Sequence, residues 1–254
     1  MENQTESNYI KPIAIVVRGL VKHFGGVYAV DGLSITIEKG KVTGIVGPNG
    51  SGKTTLINAL SGILPIDDGK VSFDGVWLSK VKSYEVSSYG ITRTFQDVRL
   101  FNQMLVLDNI LIVLTERNVF GSLFEKHSDF HLKRAEEILR RVNLWEKRHE
   151  LAKNLSYGQR KLLEIARALA MNAEIYLFDE PFAGIFREMA KIIAAIVNEL
   201  RVQGKTVILI EHDMNLIREL CDHVFVLDSG KLLAEGKPEE VLKKKEVVEA
   251  YLGE

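Results

Sequence analysis

Apolar positions fall into two rhythms along this chain. Near the start, Ile13 to Val17 and the alternating Leu33, Ile35 and Ile37 predict strands, and so does Val42 to Val46, which runs into a glycine-rich turn. Leu56, Ile57 and Leu60 then give Lys53 to Leu60 a helical spacing, before Lys70 to Phe73 returns to strand. Towards the end, Ile175 to Phe178 and Val207 to Ile210 are short continuous apolar runs, the mark of strands buried on both faces of a parallel sheet. Met189 to Leu200 between them reads as helix. Val224 to Leu227, a turn at Ser229-Gly230 and Leu232 to Ala234 predict a hairpin, and Pro238 suits the first position of a last short helix.

The middle, about Thr92 to Met171, is helical in character. Leu132, Ala135, Ile138, Leu139 and Val142 draw one apolar stripe, with Lys133, Arg134, Glu136, Glu137, Arg140 and Arg141 on the solvated face. Thr115 to Asp129 has no clear period and reads as a loop or irregular insertion. These patterns predict a mixed α/β fold. Residues 1–10 are expected to form a loose tail, and 11–254 one domain with the helical part, 92–171, inserted in it.

Composition narrows the class of function. The 254 residues include 46% hydrophobic and 26% charged positions, enough to bury a self-sufficient core and too apolar for intrinsic disorder. With 33 Lys plus Arg against 34 Asp plus Glu, there is no basic excess to hold nucleic acid or an anionic membrane, so any polyanion must be gripped locally. The single Cys221 forbids an internal disulfide and reads as core filler in a reduced, cytoplasmic setting. No apolar run approaches the roughly 18 to 20 residues of a membrane span, and the first residues do not read as a secretory signal.

Three segments carry chemistry. Gly47-Pro48-Asn49-Gly50-Ser51-Gly52-Lys53-Thr54 fits G-x-x-x-x-G-K-[ST] and lies between a predicted strand and a predicted helix. Such glycines let successive N–H groups turn inward around a phosphate chain at a helix start. Lys53 would meet the β- and γ-phosphates, Thr54 would offer its hydroxyl to Mg²⁺, and Thr55 would add a donor. Second, the strand ending in Asp179-Glu180 places two acids at its carboxyl end, where Asp179 suits a Mg²⁺-linked position and Glu180 can accept a proton from water. Third, Leu155-Ser156-Tyr157-Gly158-Gln159 opens a helix with a capping box, and a helix start with a glycine is also an anion site.

In this order the three segments resemble the nucleotide-binding subunit of an ABC transporter over nearly the whole chain. The resemblance implies a P-loop ATPase fold with a mostly parallel core sheet, an N-terminal antiparallel β portion and an inserted helical subdomain. It implies ATP and Mg²⁺ as ligands, with Ser156, Gly158 and Gln159 in the signature segment that engages the γ-phosphate held by a second ATPase subunit. Phe24 matches the aromatic that stacks on adenine. Gln96 matches the Q-loop residue, both catalytic and Mg²⁺-facing, and His212 the switch histidine. Glu180 is then the catalytic base.

Ile91-Thr-Arg-Thr-Phe-Gln96, Val98-Arg99-Leu100-Phe101, Val106-Leu107-Asp108-Asn109-Ile110 and the closing Val247 to Glu254 are similar to the branched-chain amino-acid uptake ATPases. That branch implies separate membrane permease subunits, an indirect extracytoplasmic binding protein, and a position on the inner face of the membrane. Lipopolysaccharide-export ATPases compete, because Asp179-Glu-Pro-Phe-Ala-Gly184 resembles theirs; a soluble ABC switch ATPase is a further alternative. A GTPase would need a guanine-reading Asn-Lys-x-Asp, a Rossmann dehydrogenase needs glycines spaced otherwise, and a binding module without turnover would not need Glu180 and His212. Two positions depart from the family pattern: Tyr157 replaces a glycine, and Phe186 replaces the polar D-loop residue expected to reach across a dimer. Val98, Leu100, Phe101, Met104 and Leu105 are expected to offer a groove to a membrane partner's helix or to pack internally.

Overall fold

The computed structural model describes residues 12–115 and 129–252. The tail expected over residues 1–10, most of the insertion expected over Thr115 to Asp129, and the last two residues lie outside that range. Two sheets form the frame. Strands β1 (Ile13–Phe24), β2 (Val27–Glu38), β4 (Asp68–Phe73) and β5 (Val76–Leu78) make an antiparallel sheet in the order β2-β1-β4-β5. The second contains β3 (Val42–Val46), β6 (Ile91–Arg93), β7 (Ile175–Asp179), β8 (Thr206–Ile210), β9 (His223–Asp228) and β10 (Lys231–Gly236), in the order β10-β9-β3-β8-β7-β6. Its pairings are parallel except for the β9–β10 hairpin.

Strand alternation explains how one sheet sits between two cores. In β7, Ile175 and Leu177 join the core shared with the antiparallel sheet and with Leu56 and Leu60 of helix α1 (Lys53–Leu60). Tyr176 and Phe178 point the other way, into a core with Leu162 and Ile165 of α4 (Tyr157–Ala170) and Ile193 of α5 (Arg187–Val202). β8 does the same, with Ile208 and Ile210 on one side and Val207 and Leu209 on the other. Burying each such side chain contributes about 1.5 to 3 kcal/mol, so the sheet is fixed from both faces. Helices α2 (Val106–Leu114) and α3 (Asp129–Arg141) extend the second core, with α3 burying Ala135, Ile138 and Leu139. Cys221 is buried there too, and burial pushes its thiol up to about 12.

Two boundaries differ from the sequence reading. Thr92 and Arg93 belong to β6, drawn into the core sheet by parallel pairing of Ile91 with Ile175, so the first helix of the middle region starts only at Val106. Three residues are too few to show a period. Pro238 does open a helix, α7 (Pro238–Val241), but α8 (Lys245–Leu252) follows it, after α6 (Met214–Leu220) earlier in the chain. Among the described residues no helix is long and apolar enough to cross a membrane.

Candidate functional site

Parallel pairing sets β3 beside β8 and β8 beside β7, so the residues that follow these strands emerge at one edge of the sheet. Ligands bind at such carboxyl edges because the loops there are free to vary while the strands hold them. The turn from β3 to α1 is built by backbone geometry. Gly47 and Gly52 take φ of 150° and 100°, and a Cβ at either would overlap a carbonyl oxygen, of Leu227 and of Ala29 respectively. Only glycine fits at both. Gly50 also takes a positive φ, Pro48 and Ser51 are buried, and Asn49, Gly50 and Thr54 are exposed.

Lys53 Nζ donates to the carbonyl oxygens of Gly47 and Pro48 at 2.7 and 2.8 Å, so the lysine braces its own loop. α1 begins without a side-chain cap, and the buried Ser51 Oγ has no hydrogen-bond partner. An uncapped helix start with an ammonium and an unpartnered hydroxyl fits a phosphate chain. The antiparallel sheet reaches this place as well. Asp31 N donates to Gly230 O at 2.9 Å, and Ala29 lies against Gly52. Phe24, at the tip of the hairpin that leads into β2, is half exposed, with Lys22 Nζ 5.4 Å from its ring centre.

At the end of β7 the adjacent acids are treated differently. Asp179 is 1% exposed; its Oδ2 accepts from Arg93 Nη2 at 2.8 Å, while Oδ1 is buried with no hydrogen-bond partner. Glu180 is half-buried, its backbone is held at φ 48°, and its Oε2 accepts from Gln96 Nε2 at 3.2 Å. Gln96 and Glu180, both singled out in the sequence, are thus brought together. His212 follows β8 and is exposed. Its neighbour Glu211 is 2% exposed, accepts from Phe182 N at 3.0 Å, and is pushed up to about 7 chiefly by burial.

The third segment faces its own chain. Ser156 Oγ accepts from Gln159 N at 3.3 Å and Gln159 Oε1 accepts from Ser156 N at 3.0 Å, a complete capping box. Gly158 is buried, and a Cβ there would run into Met189 Sδ, so this glycine serves close packing on α5. Tyr157 lies over Gly184, and Phe186 is 78% exposed.

The fit of a divalent cation can be judged from these groups. Among the described residues no cluster of three or more His, Cys, Asp or Glu could hold a metal, so an ion here would need phosphate oxygens and water as further ligands. The partnerless Asp179 Oδ1 and the Thr54 hydroxyl suit that sharing.

Several residues that hold the site escape sequence reasoning. Lys161, 1% exposed, donates from Nζ to Gln96 O at 3.1 Å, and Glu164 Oε1 accepts from Phe95 N at 3.1 Å and Arg99 N at 3.4 Å. Burial lowers the Lys161 ammonium and raises the Glu164 carboxyl from their usual ranges. Arg167 Nη1 adds a bond to Arg99 O at 2.6 Å, so one face of α4 grips the Gln96 segment. A signal existed: Lys161 and Glu164 interrupt the apolar run at i, i+3 spacing.

Fold and site together define a phosphate-loop nucleotide-binding domain. The ABC transporter family matches residues 30–183, and the family described as branched-chain amino acid ATP-binding cassette transporter matches 231–254. A probable branched-chain amino acid transport ATP-binding protein LivG of Methanocaldococcus jannaschii is 40% identical over 92% of this chain and 95% of its own length. The solved ADP conformation of an ATP-binding cassette of an ABC transporter superposes with a TM-score of 0.83 at 38% identity, covering 95% of this chain and 99% of that one. A dimeric post-hydrolysis cassette bound to ADP and Pi gives 0.78 at 27% identity, covering 88% and 98%. This chain belongs to the ABC transporter family, and it is an ATP-hydrolysing cassette that binds nucleotide.

Proposed function

We propose that this chain is the ATPase subunit of an importer for a small solute, in the branched-chain amino-acid group, peripheral on the inner face of the membrane. Support for the branch comes from the match over residues 231–254 and from the naming of its relatives. ATP sits with its phosphates in the loop Gly47 to Thr55 and its adenine on Phe24. Mg²⁺, when bound beside Thr54, Gln96 and Asp179, offsets phosphate charge. A water attacks the γ-phosphorus as the bond to ADP breaks, Glu180 takes the proton, and His212 and Lys53 steady the charge on the departing phosphate.

The observation that carries this reading is the contrast between an uncapped loop and Glu180 at one sheet edge, and Ser156 turned to its own helix. One copy therefore supplies half a site. A second ATPase subunit, identical or related, supplies Ser156, Gly158 and Gln159, in keeping with the dimeric form of a similar cassette. Closure and reopening drive the permease subunits, with a binding protein acting on their far side. Phe101 is 44% exposed, and Val98, Leu100, Met104 and Leu105 are half-buried, which suits a shallow contact for a permease helix.

Glu180→Gln tests the core of this reading. It should bind ATP, slow hydrolysis at least about tenfold, and hold an ATP-dependent dimer on a sizing column. Monomer only would sink the dimer, and an unchanged rate would remove Glu180 from the chemistry. Co-purification with the permease subunits, followed by a solute-stimulated ATPase screen, tests the branch: stimulation by leucine, isoleucine or valine is expected. Loss of co-purification after replacing Leu100 and Phe101 by Ser would support the docking contact.

A further inference from the structure

Arg93 lies outside every segment that the phosphate chemistry singled out, yet its guanidinium spans the site. Nη2 donates to Asp179 Oδ2 at 2.8 Å. Nη1 donates at 2.7 Å both to Asn58 Oδ1, on α1, and to Ser61 Oγ, just past its end. Nε donates to Thr94 O at 3.3 Å, and the Thr94 hydroxyl accepts from Asp179 N at 3.3 Å. One side chain in β6 thus ties the carboxylate that ends β7 to the helix whose first turn carries Thr54.

A buried ion pair is weak evidence of a stability role, because desolvating two charges offsets most of their attraction. The Arg93 and Asp179 side chains are 6% and 2% exposed. What a forked, planar donor offers better than an apolar residue is orientation. It occupies one carboxylate oxygen and leaves Oδ1 buried without a partner. A lone unsatisfied oxygen on a carboxylate whose other oxygen is anchored is an aimed ligand.

We infer that Arg93 is a positioning residue for the divalent cation that accompanies ATP: it fixes the Asp179 carboxylate relative to α1, so that Oδ1 and Thr54 address one ion. This rests on the proposed placement of Asp179 beside that ion. Asn58 and Ser61 anchor Arg93 from behind.

Mn²⁺ in place of Mg²⁺ gives a test by electron paramagnetic resonance that does not depend on turnover. Full-length Arg93→Met, Arg93→Lys and Asn58→Ala proteins would be titrated with Mn²⁺ at saturating ATP, and ATP binding would be measured separately in EDTA. Binding of ATP alone should stay within about twofold throughout, while Mn²⁺ affinity falls about tenfold in Arg93→Met, corresponding to about 1.4 kcal/mol, and less in the other two. Arg93→Lys keeps a cation but loses the fork, so an intermediate loss supports orientation; it also keeps the test open if Arg93→Met does not fold. Unchanged Mn²⁺ affinity in a folded Arg93→Met or Arg93→Lys, with only a lower melting temperature, would overturn the inference in favour of a structural brace. An Asp179→Asn control with undiminished Mn²⁺ affinity would instead overturn the placement of Asp179, and the role of Arg93 with it.

Discussion

Two helix starts in this molecule could each hold an anion, and they are built in opposite ways. At the start of α1 no side chain caps the helix, the glycines at 47 and 52 have no room for a Cβ, and Lys53 turns back to its own loop carbonyls. At the start of α4, Ser156 and Gln159 satisfy one another in an exposed capping box. The first has no side-chain partner of its own. The second is already capped, so engaging a phosphate there means trading an existing cap for a new partner. This difference suits a protein in which one surface binds nucleotide first and the other joins on dimerisation.

The comparison breaks most sharply at Lys53. Lys53→Ala should weaken ATP binding at least about a hundredfold, about 2.7 kcal/mol, by calorimetry, while circular dichroism stays unchanged. A loss under about fivefold would mean that the loop amides alone hold the phosphates.

Just past β8 lies Glu211, whose carboxyl is pushed up to about 7 by burial. A raised carboxyl binds its proton more tightly folded than unfolded. The folded state is therefore favoured at low pH, loses that advantage as pH climbs from about 4.5 to about 7, and carries the full cost of a buried charge above. Glu211→Gln keeps an acceptor for Phe182 N–H without the charge. It should be about 3 kcal/mol more stable than the parent at pH 8 and close to it near pH 4.5, by urea unfolding at both. Equal stability at pH 8 would show that the charge is compensated in place.

Ser156→Ala gives the smallest effect on stability and sharpens the contrast. Loss of the cap should cost about 1 kcal/mol by denaturant unfolding. ATP affinity of the isolated subunit should not change, whereas ATP-driven dimerisation should weaken; an affinity change without dimerisation would place Ser156 in its own chain's site.

What the sequence made legible was what is contiguous. Val42 to Val46, the glycine turn and Lys53 to Leu60 appear with the bounds expected, because strand, loop and helix each carry their own local signal. The capping box and the β9–β10 hairpin were readable for the same reason. Illegible were features defined by distant partners. Arg93 meets Asp179 from 86 positions away, and Lys161 reaches Gln96 across 65. β6 has no period of its own and exists as a strand through its pairing with β7. Buried charges are set by the fold that encloses them, so their partners are invisible to periodicity.

Glu180 sits at a backbone angle of +48°, where a residue bearing a Cβ is disfavoured by about 1 kcal/mol or more. The tilt of the main chain, and not only the choice of rotamer, therefore directs this carboxylate. Replacing its end group leaves that direction intact, whereas a glycine at the same place would relax the peptide and lose the bearing altogether. The backbone gives this acid its aim.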